Sequence, residues 1–204
     1  MELDDLKLYL PRFLSEDSEK SLFEGLKDFP ENLDSRLYTG KLEKEEIIFQ
    51  GDGINGLLVV NLPSKEIKEA KCLVLSNTCD VDQGNSRLFP SQLVYAPIFD
   101  LEKYQSRLAS LPEYSPQKIS DHIKTIRKQE ITQIFYLPQL GGSLKESIVF
   151  LDRINNCQNN SIDRRSLPSQ RIFSLSDYGF YIFLLKVSIH FTRIRDKVDR
   201  GSFS

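Results

Sequence analysis

Hydrophobic positions near the start of the chain recur at helical spacing. Ser15 is placed to cap a helix, acidic residues follow it where the helix dipole favours negative charge, and Pro30 ends the pattern. The apolar stripe consists of Leu22, Phe23, Leu26 and Phe29. The sequence therefore predicts an N-terminal helical extension over residues 1–36.

From Tyr38 onward the apolar positions fall in short runs of β-branched and aromatic residues, separated by Gly, Pro, Asn and Ser. The runs read EEIIFQ, GLLVVNLP, KCLVLSN, QLVYAPIF, ITQIFYLP and ESIVFLDRI. Strands at such short spacing are typical of a small barrel or sandwich. Residues 37–204 are therefore predicted to form one mainly β domain.

Two segments of this domain keep a helical pattern. Residues 100–130 read as a helical insertion of two helices, divided between Pro112 and Pro116. A C-terminal helix is predicted over about 176–198, although its apolar positions mix helical spacing with strand-like residues. The fold class is therefore mainly β with added α-helices.

The net charge and the composition of the chain limit the classes of function that it can have. The chain of 204 residues has a formal net charge of −2, so it lacks the overall basicity of a non-specific nucleic-acid binder, although a local basic groove is compatible with this value. The acidic start does not resemble a signal peptide, and the longest apolar run is broken by Lys186. Three scattered cysteines and two distant histidines fit no disulfide framework or metal site. We therefore expect a reduced cytoplasmic protein without membrane association, metal or cofactor.

The stretch GDGING, residues 51–56, matches the glycine pattern of a dinucleotide-binding loop. That loop must open a helix, whose N-terminal amides bind the pyrophosphate. Here the stretch leads into an apolar run that reads as a strand, so we interpret it as a hairpin turn.

The apolar run KCLVLSN leads into a short polar turn, Ser76-Asn77-Thr78-Cys79-Asp80. Its hydroxyl, amide, thiol and carboxylate groups are of the kinds that transfer protons or attack substrates. Asn and Asp are also common turn formers, so a hydrogen-bonded turn over residues 77–82 explains the same composition. Cys79 likewise reads as a nucleophile or as a small apolar side chain. The sequence leaves both interpretations open.

A second cluster combines arginines with aspartates near the end of the last predicted strand. Its members are Asp152, Arg153, Asp163, Arg164 and Arg165. Arginine can clamp a phosphate with two hydrogen bonds. Salt bridges with the neighbouring aspartates explain the cluster equally well.

Taken in order, the strands resemble those of the MazF/PemK family, the toxins of bacterial toxin–antitoxin pairs. Gly51-Asp52 precedes an apolar strand, KCLVLSN is similar to the family's PVLVLS strand, and VYAPIF is similar to a strand ending in Ala-Pro-Ile-Thr. ESIVFLDRINN and SIDRRSL take the place of the last strand and the segment after it. The resemblance covers roughly residues 48–99 and 132–168. It implies a small SH3-like barrel and a homodimer, with a groove between protomers for single-stranded RNA or for the antitoxin tail.

The resemblance also implies metal-independent RNA cleavage, in which the 2′-hydroxyl attacks the neighbouring phosphate. Lys71 stands where the family has an Arg, and Phe99 replaces the family's Thr or Ser after Pro-Ile. We therefore predict a relocated catalytic site with Lys71 for charge and Thr78 or Asp80 for proton transfer. The predicted RNA-binding residues are Ser76, Asn77, Arg87 and Arg153.

Two functions follow from these observations. The first is a toxin-type endoribonuclease acting on single-stranded RNA and inhibited by an antitoxin or another protein partner. The alternative is a non-catalytic barrel that binds protein or RNA in a bacterial defence or stress system, which Phe99, the acidic pI and the added helices favour. A hydrolase that uses Cys79 as its nucleophile is a third hypothesis.

Overall fold

A computed structural model describes residues 22, 24–31, 33–85 and 88–192. Residues 1–21, 23 and 32 of the predicted N-terminal extension, Arg87 and the chain after residue 192 lie outside the described residues. Within them the fold is mainly an antiparallel β-sheet with added helices, which confirms the predicted class at this level. The strands are β1 (Tyr38–Thr39), β2 (Gly53–Val60), β3 (Ile67–Val74), β4 (Gln92–Asp100), β5 (Ile134–Leu137), β6 (Ser147–Phe150), β7 (Asn155–Gln158) and β8 (Arg171–Leu175).

The sheet is organised around the long strand β4. The strand order is β1-β8-β2-β3-β4-β6-β5, with β7 paired to β4 off this path. One side of β4 pairs with β3, while the other side pairs first with β7 and then with β6. Because two different strands share that side, the two halves of β4 belong to different parts of the sheet. The strand order is open, from β1 at one end to β5 at the other.

Strand β3 explains the apolar run at the centre of the sequence. Cys72, Leu73 and Val74 are consecutive and all fully buried. Cys72 and Val74 pack in one hydrophobic cluster, and Leu73 packs in another on the opposite face. A strand buried on both faces loses the apolar–polar alternation of a surface strand.

The helices cover the faces of the sheet. They are α1 (Thr78–Val81), α2 (Leu101–Ala109), α3 (Pro116–Arg127), α4 (Leu167–Gln170) and α5 (Asp177–Thr192). Residues 24–27 are also helical, and 3-10 turns occur at Ser35–Leu37, Asn159–Ser161 and Arg164–Ser166. Helices α2 and α3 fill the segment predicted as a two-helix insertion, and they pack over β5 and β6 in a cluster that includes Ile123, Ile126 and Ile148. Helix α5 packs with β8 on the cluster that contains Leu22 and Leu37.

Two local predictions were wrong. The run EEIIFQ, residues 45–50, forms no strand. The buried guanidinium of Arg171 donates to the carbonyls of Glu45 and Ile47 instead, so these groups are not available to a neighbouring strand. The stretch GDGING is not a hairpin turn, because Gly51 bends the chain before β2 and Gly56, at φ +86°, lies in a bulge within that strand.

Candidate functional site

The polar turn after β3 is a single helical turn with its own cap. Asn77 is the N-cap of α1, and its side-chain oxygen accepts a hydrogen bond from the amide of Cys79 at 2.9 Å. Asp82 accepts similarly from the amide of Gly84 at 2.8 Å. The backbone here therefore agrees with the hydrogen-bonded turn, the simpler of the two interpretations of residues 77–82.

The two hydroxyls predicted for this turn are engaged with the backbone. Ser76 Oγ accepts from the amide of Val94 at 2.7 Å and donates to the carbonyl of Gln92 at 3.3 Å. Thr78 Oγ1 accepts from the amide of Gln50 at 3.0 Å. These bonds fasten the turn to β4 and to the loop before β2, so both hydroxyls have a structural role.

Lys71 lies apart from the turn. Its Nζ donates to the carbonyl of Ser143 at 3.2 Å, in the loop between β5 and β6. The strand alone carries Val74 about 10 Å beyond Lys71, and Thr78 follows after that. Asp80 is exposed on α1. The structure therefore groups Ser76, Asn77, Thr78 and Asp80 but does not bring Lys71 to them.

Arg153 lies on a different part of the surface, stacked on two phenylalanines. Its guanidinium carbon lies 4.2 Å from the ring centroid of Phe150 and 5.2 Å from that of Phe99. The two rings meet edge to face at 5.6 Å. We call Arg153, Phe99 and Phe150 the arginine platform. The cation lies over an aromatic base while Arg153 remains exposed.

Phe99 also belongs to the packing beneath the two helices. It packs with the cluster beneath α2 and α3. Its apolar ring supports these helices and offers no group for proton transfer.

Tyr104 and His122 continue the aromatic surface beyond the platform. Tyr104 meets Phe150 edge to face at 5.7 Å, and its hydroxyl lies 3.0 Å from Nε2 of His122. Burial raises the pKa of Tyr104 and lowers the pKa of His122. Both side chains are therefore favoured in their neutral forms near pH 7. No sequence pattern indicated this pair, because the two residues lie on separate helices and meet only when α2 packs on α3.

The second part of the arginine–aspartate cluster, Asp163 to Arg165, has a structural role. Arg164 donates to the carbonyl of Val81 at 3.3 Å and to the side-chain oxygen of the buried Asn159. Asp163 accepts from the amide of Arg165, and so caps the 3-10 turn that follows it. These contacts fasten the end of α1 to the segment after β7.

In the part of the chain that the structure describes, no set of three or more His, Cys, Asp or Glu side chains is placed to hold a metal ion. No helix within the same residues has the length and apolar character needed to cross a bilayer. Comparisons of the sequence with protein-family models and with curated proteins found no match.

Proposed function

We propose that this chain is a non-catalytic module that binds single-stranded RNA through the arginine platform. The observation that carries the proposal is the stacking of the exposed Arg153 on Phe150 at 4.2 Å. Unpaired RNA bases stack on aromatic rings and on arginine planes, and arginine also contacts phosphate. Because Arg153 remains exposed, its guanidinium is accessible to a base or a phosphate.

The contacts of the predicted catalytic residues favour binding over cleavage. Cleavage needs a base, an acid and a positive charge around one phosphate. Thr78 is occupied by the amide of Gln50, and Lys71 is bonded to the loop carbonyl of Ser143. Phe99 supplies no replacement hydroxyl.

A labelled single-stranded RNA of mixed sequence, titrated with the full chain and followed by fluorescence anisotropy, tests the proposal. We expect Arg153→Gln to weaken binding about fivefold or more, the usual range for removing a stacking partner. The matched control is Arg165→Gln, which removes the same charge from an exposed position outside the platform and is expected to change affinity less than about twofold. Equal binding by both variants, or no binding by the parent chain, would overturn the proposal.

The second candidate is the MazF/PemK-like endoribonuclease that the resemblance implies, with its SH3-like barrel, homodimer and antitoxin or other protein partner. Its support is the cluster of Ser76, Asn77, Thr78 and Asp80 on one short turn beside the loop before β2. Expression in a bacterial host, with extracted RNA mapped for new 5′ ends, separates the two functions. Growth arrest with discrete cleavage that Asp80→Ala and Lys71→Ala abolish would establish the ribonuclease, whereas intact RNA would support binding alone.

A further inference from the structure

A cavity of about 280 Å³ opens between α2 and α3, next to the arginine platform. It is lined by Tyr104, Leu108, Tyr114, Lys118, Ile119 and His122. Small-molecule sites range from roughly 300 to 1,000 Å³, so this cavity lies at the lower limit and has room for one small ligand. Its walls are mostly aromatic and aliphatic, with polar groups at a few defined points.

The polar groups of the cavity come from both helices. The Tyr104 hydroxyl and His122 Nε2, 3.0 Å apart, share one hydrogen bond. Each ring then keeps a further donor or acceptor for a ligand, in an arrangement set by the tautomer of His122. Lys118 Nζ lies 5.1 Å from the ring centroid of Tyr114 and is exposed, so it brings a positive charge to the rim.

We infer that this cavity is a nucleobase pocket, in which a base stacks against the tyrosines, the Tyr104–His122 pair hydrogen-bonds its edge, and Lys118 contacts a phosphate. The neutral pair suits the uncharged edge of a base, and aromatic walls with a nearby cation are the usual surroundings of an unstacked nucleotide. The base has two sources, a free mononucleotide or the RNA bound at the platform. The RNA source rests on the proposed function, whereas the mononucleotide source does not.

The test uses the full chain with two probes, the four nucleoside monophosphates by ligand-observed NMR and the labelled RNA by anisotropy. Leu108→Trp fills the cavity from α2, and Ser106→Trp adds the same side chain at an exposed position of the same helix. We expect Leu108→Trp to weaken mononucleotide binding about tenfold or more and Ser106→Trp to change it less than about twofold. Tyr104→Phe keeps the ring and removes only the hydroxyl, so it tests the same pocket if Leu108→Trp fails to fold. We expect it to weaken binding about fivefold.

The outcomes separate this inference from the proposed function. Loss of both probes in Leu108→Trp supports a pocket for a base of RNA, and loss of the mononucleotides alone supports a pocket for a free nucleotide. If RNA binding depends on Arg153 but no mononucleotide binds, the pocket is overturned and the proposed function stands. The same conclusion follows if neither Leu108→Trp nor Tyr104→Phe has an effect on binding. Failure of the parent chain to bind either probe overturns both.

Discussion

At the scale of single residues, the strongest local constraint is the buried ion pair of Arg171 and Asp52. Their side chains are 1% and 0% exposed, and Arg171 Nε donates to Asp52 Oδ2 at 3.1 Å. The carboxylate also accepts from Ser174 Oγ at 2.5 Å and from the amide of Phe49 at 2.9 Å. Buried charges are tolerated when they are paired and fully hydrogen-bonded, and both conditions are met here.

Replacing Arg171 by Met leaves Asp52 buried without its partner and releases the loop carbonyls that the guanidinium holds. We expect the free energy of unfolding to fall by about 3–5 kcal/mol, measured by urea denaturation at pH 7. Arg165→Met, at an exposed position, is the control and is expected to stay within about 0.5 kcal/mol of the parent chain. A loss below about 1 kcal/mol for Arg171→Met would show that the pair adds little to stability.

At the scale of elements, the inserted helices begin where their caps place them. The side chain of Asp100 accepts from the amide of Lys103 at 3.1 Å, and Ser115 Oγ accepts from the amide of Lys118 at 3.3 Å. Pro116 follows Ser115 at the start of α3, where a missing amide hydrogen costs nothing. These caps are local, and they set the starts of the two helices that the sequence predicted from its helical pattern and its prolines.

The cap of α3 can be tested by one substitution. Ser115→Ala removes the acceptor for the amide of Lys118, and we expect it to cost about 1 kcal/mol in the free energy of unfolding. Ser120→Ala, at an exposed position inside the same helix, is the control and is expected to be neutral or slightly stabilising because Ala is the better helix former. Thermal and urea unfolding followed by circular dichroism measure both. Equal stabilities for the two variants would argue against the cap.

At the scale of the whole molecule, Lys186 joins the C-terminal helix to the insertion. Its side chain is buried, and Nζ donates to the carbonyls of Gln129 at 2.6 Å and Ile131 at 2.5 Å, between α3 and β5. Burial lowers the pKa of Lys186 to about 8. Because the buried amino group loses part of its preference for the charged form, the stability of this junction depends on pH.

The direction of that dependence follows from proton binding. Between about pH 8 and pH 10.5, Lys186 is more protonated in the unfolded chain than in the folded chain. The free energy of unfolding therefore rises with pH through this window. Unfolding free energies at pH 7.5 and 9.5 for the parent chain and Lys186→Met isolate the effect, because other groups titrate alike in both. We expect the free energy of unfolding of the parent chain, minus that of Lys186→Met, to increase by about 1–2 kcal/mol between pH 7.5 and pH 9.5. Parallel pH profiles would contradict this assignment.

Much of the architecture could be read from the sequence because its signals are local. The apolar runs predicted strands where β2 to β6 lie, and a helical pattern divided between Pro112 and Pro116 predicted α2 and α3. Other strands gave weaker signals. Strand β7 reads Asn-Asn-Cys-Gln, a polar composition unfavourable to strands, and it forms because Gln92 to Tyr95 of β4 offer it a partner.

The candidate site, like the fold, could be predicted only in part from the sequence. The residues with hydroxyl, carboxylate and guanidinium groups, and the capped turn that Asn77 favours, could be read directly from the sequence. The contact of Arg153 with Phe150, the pairing of Tyr104 with His122 and the bond from Lys71 to the Ser143 carbonyl could not. Caps and periodicity act within a few residues, whereas these contacts join segments that are distant in the chain and form only when those segments pack together.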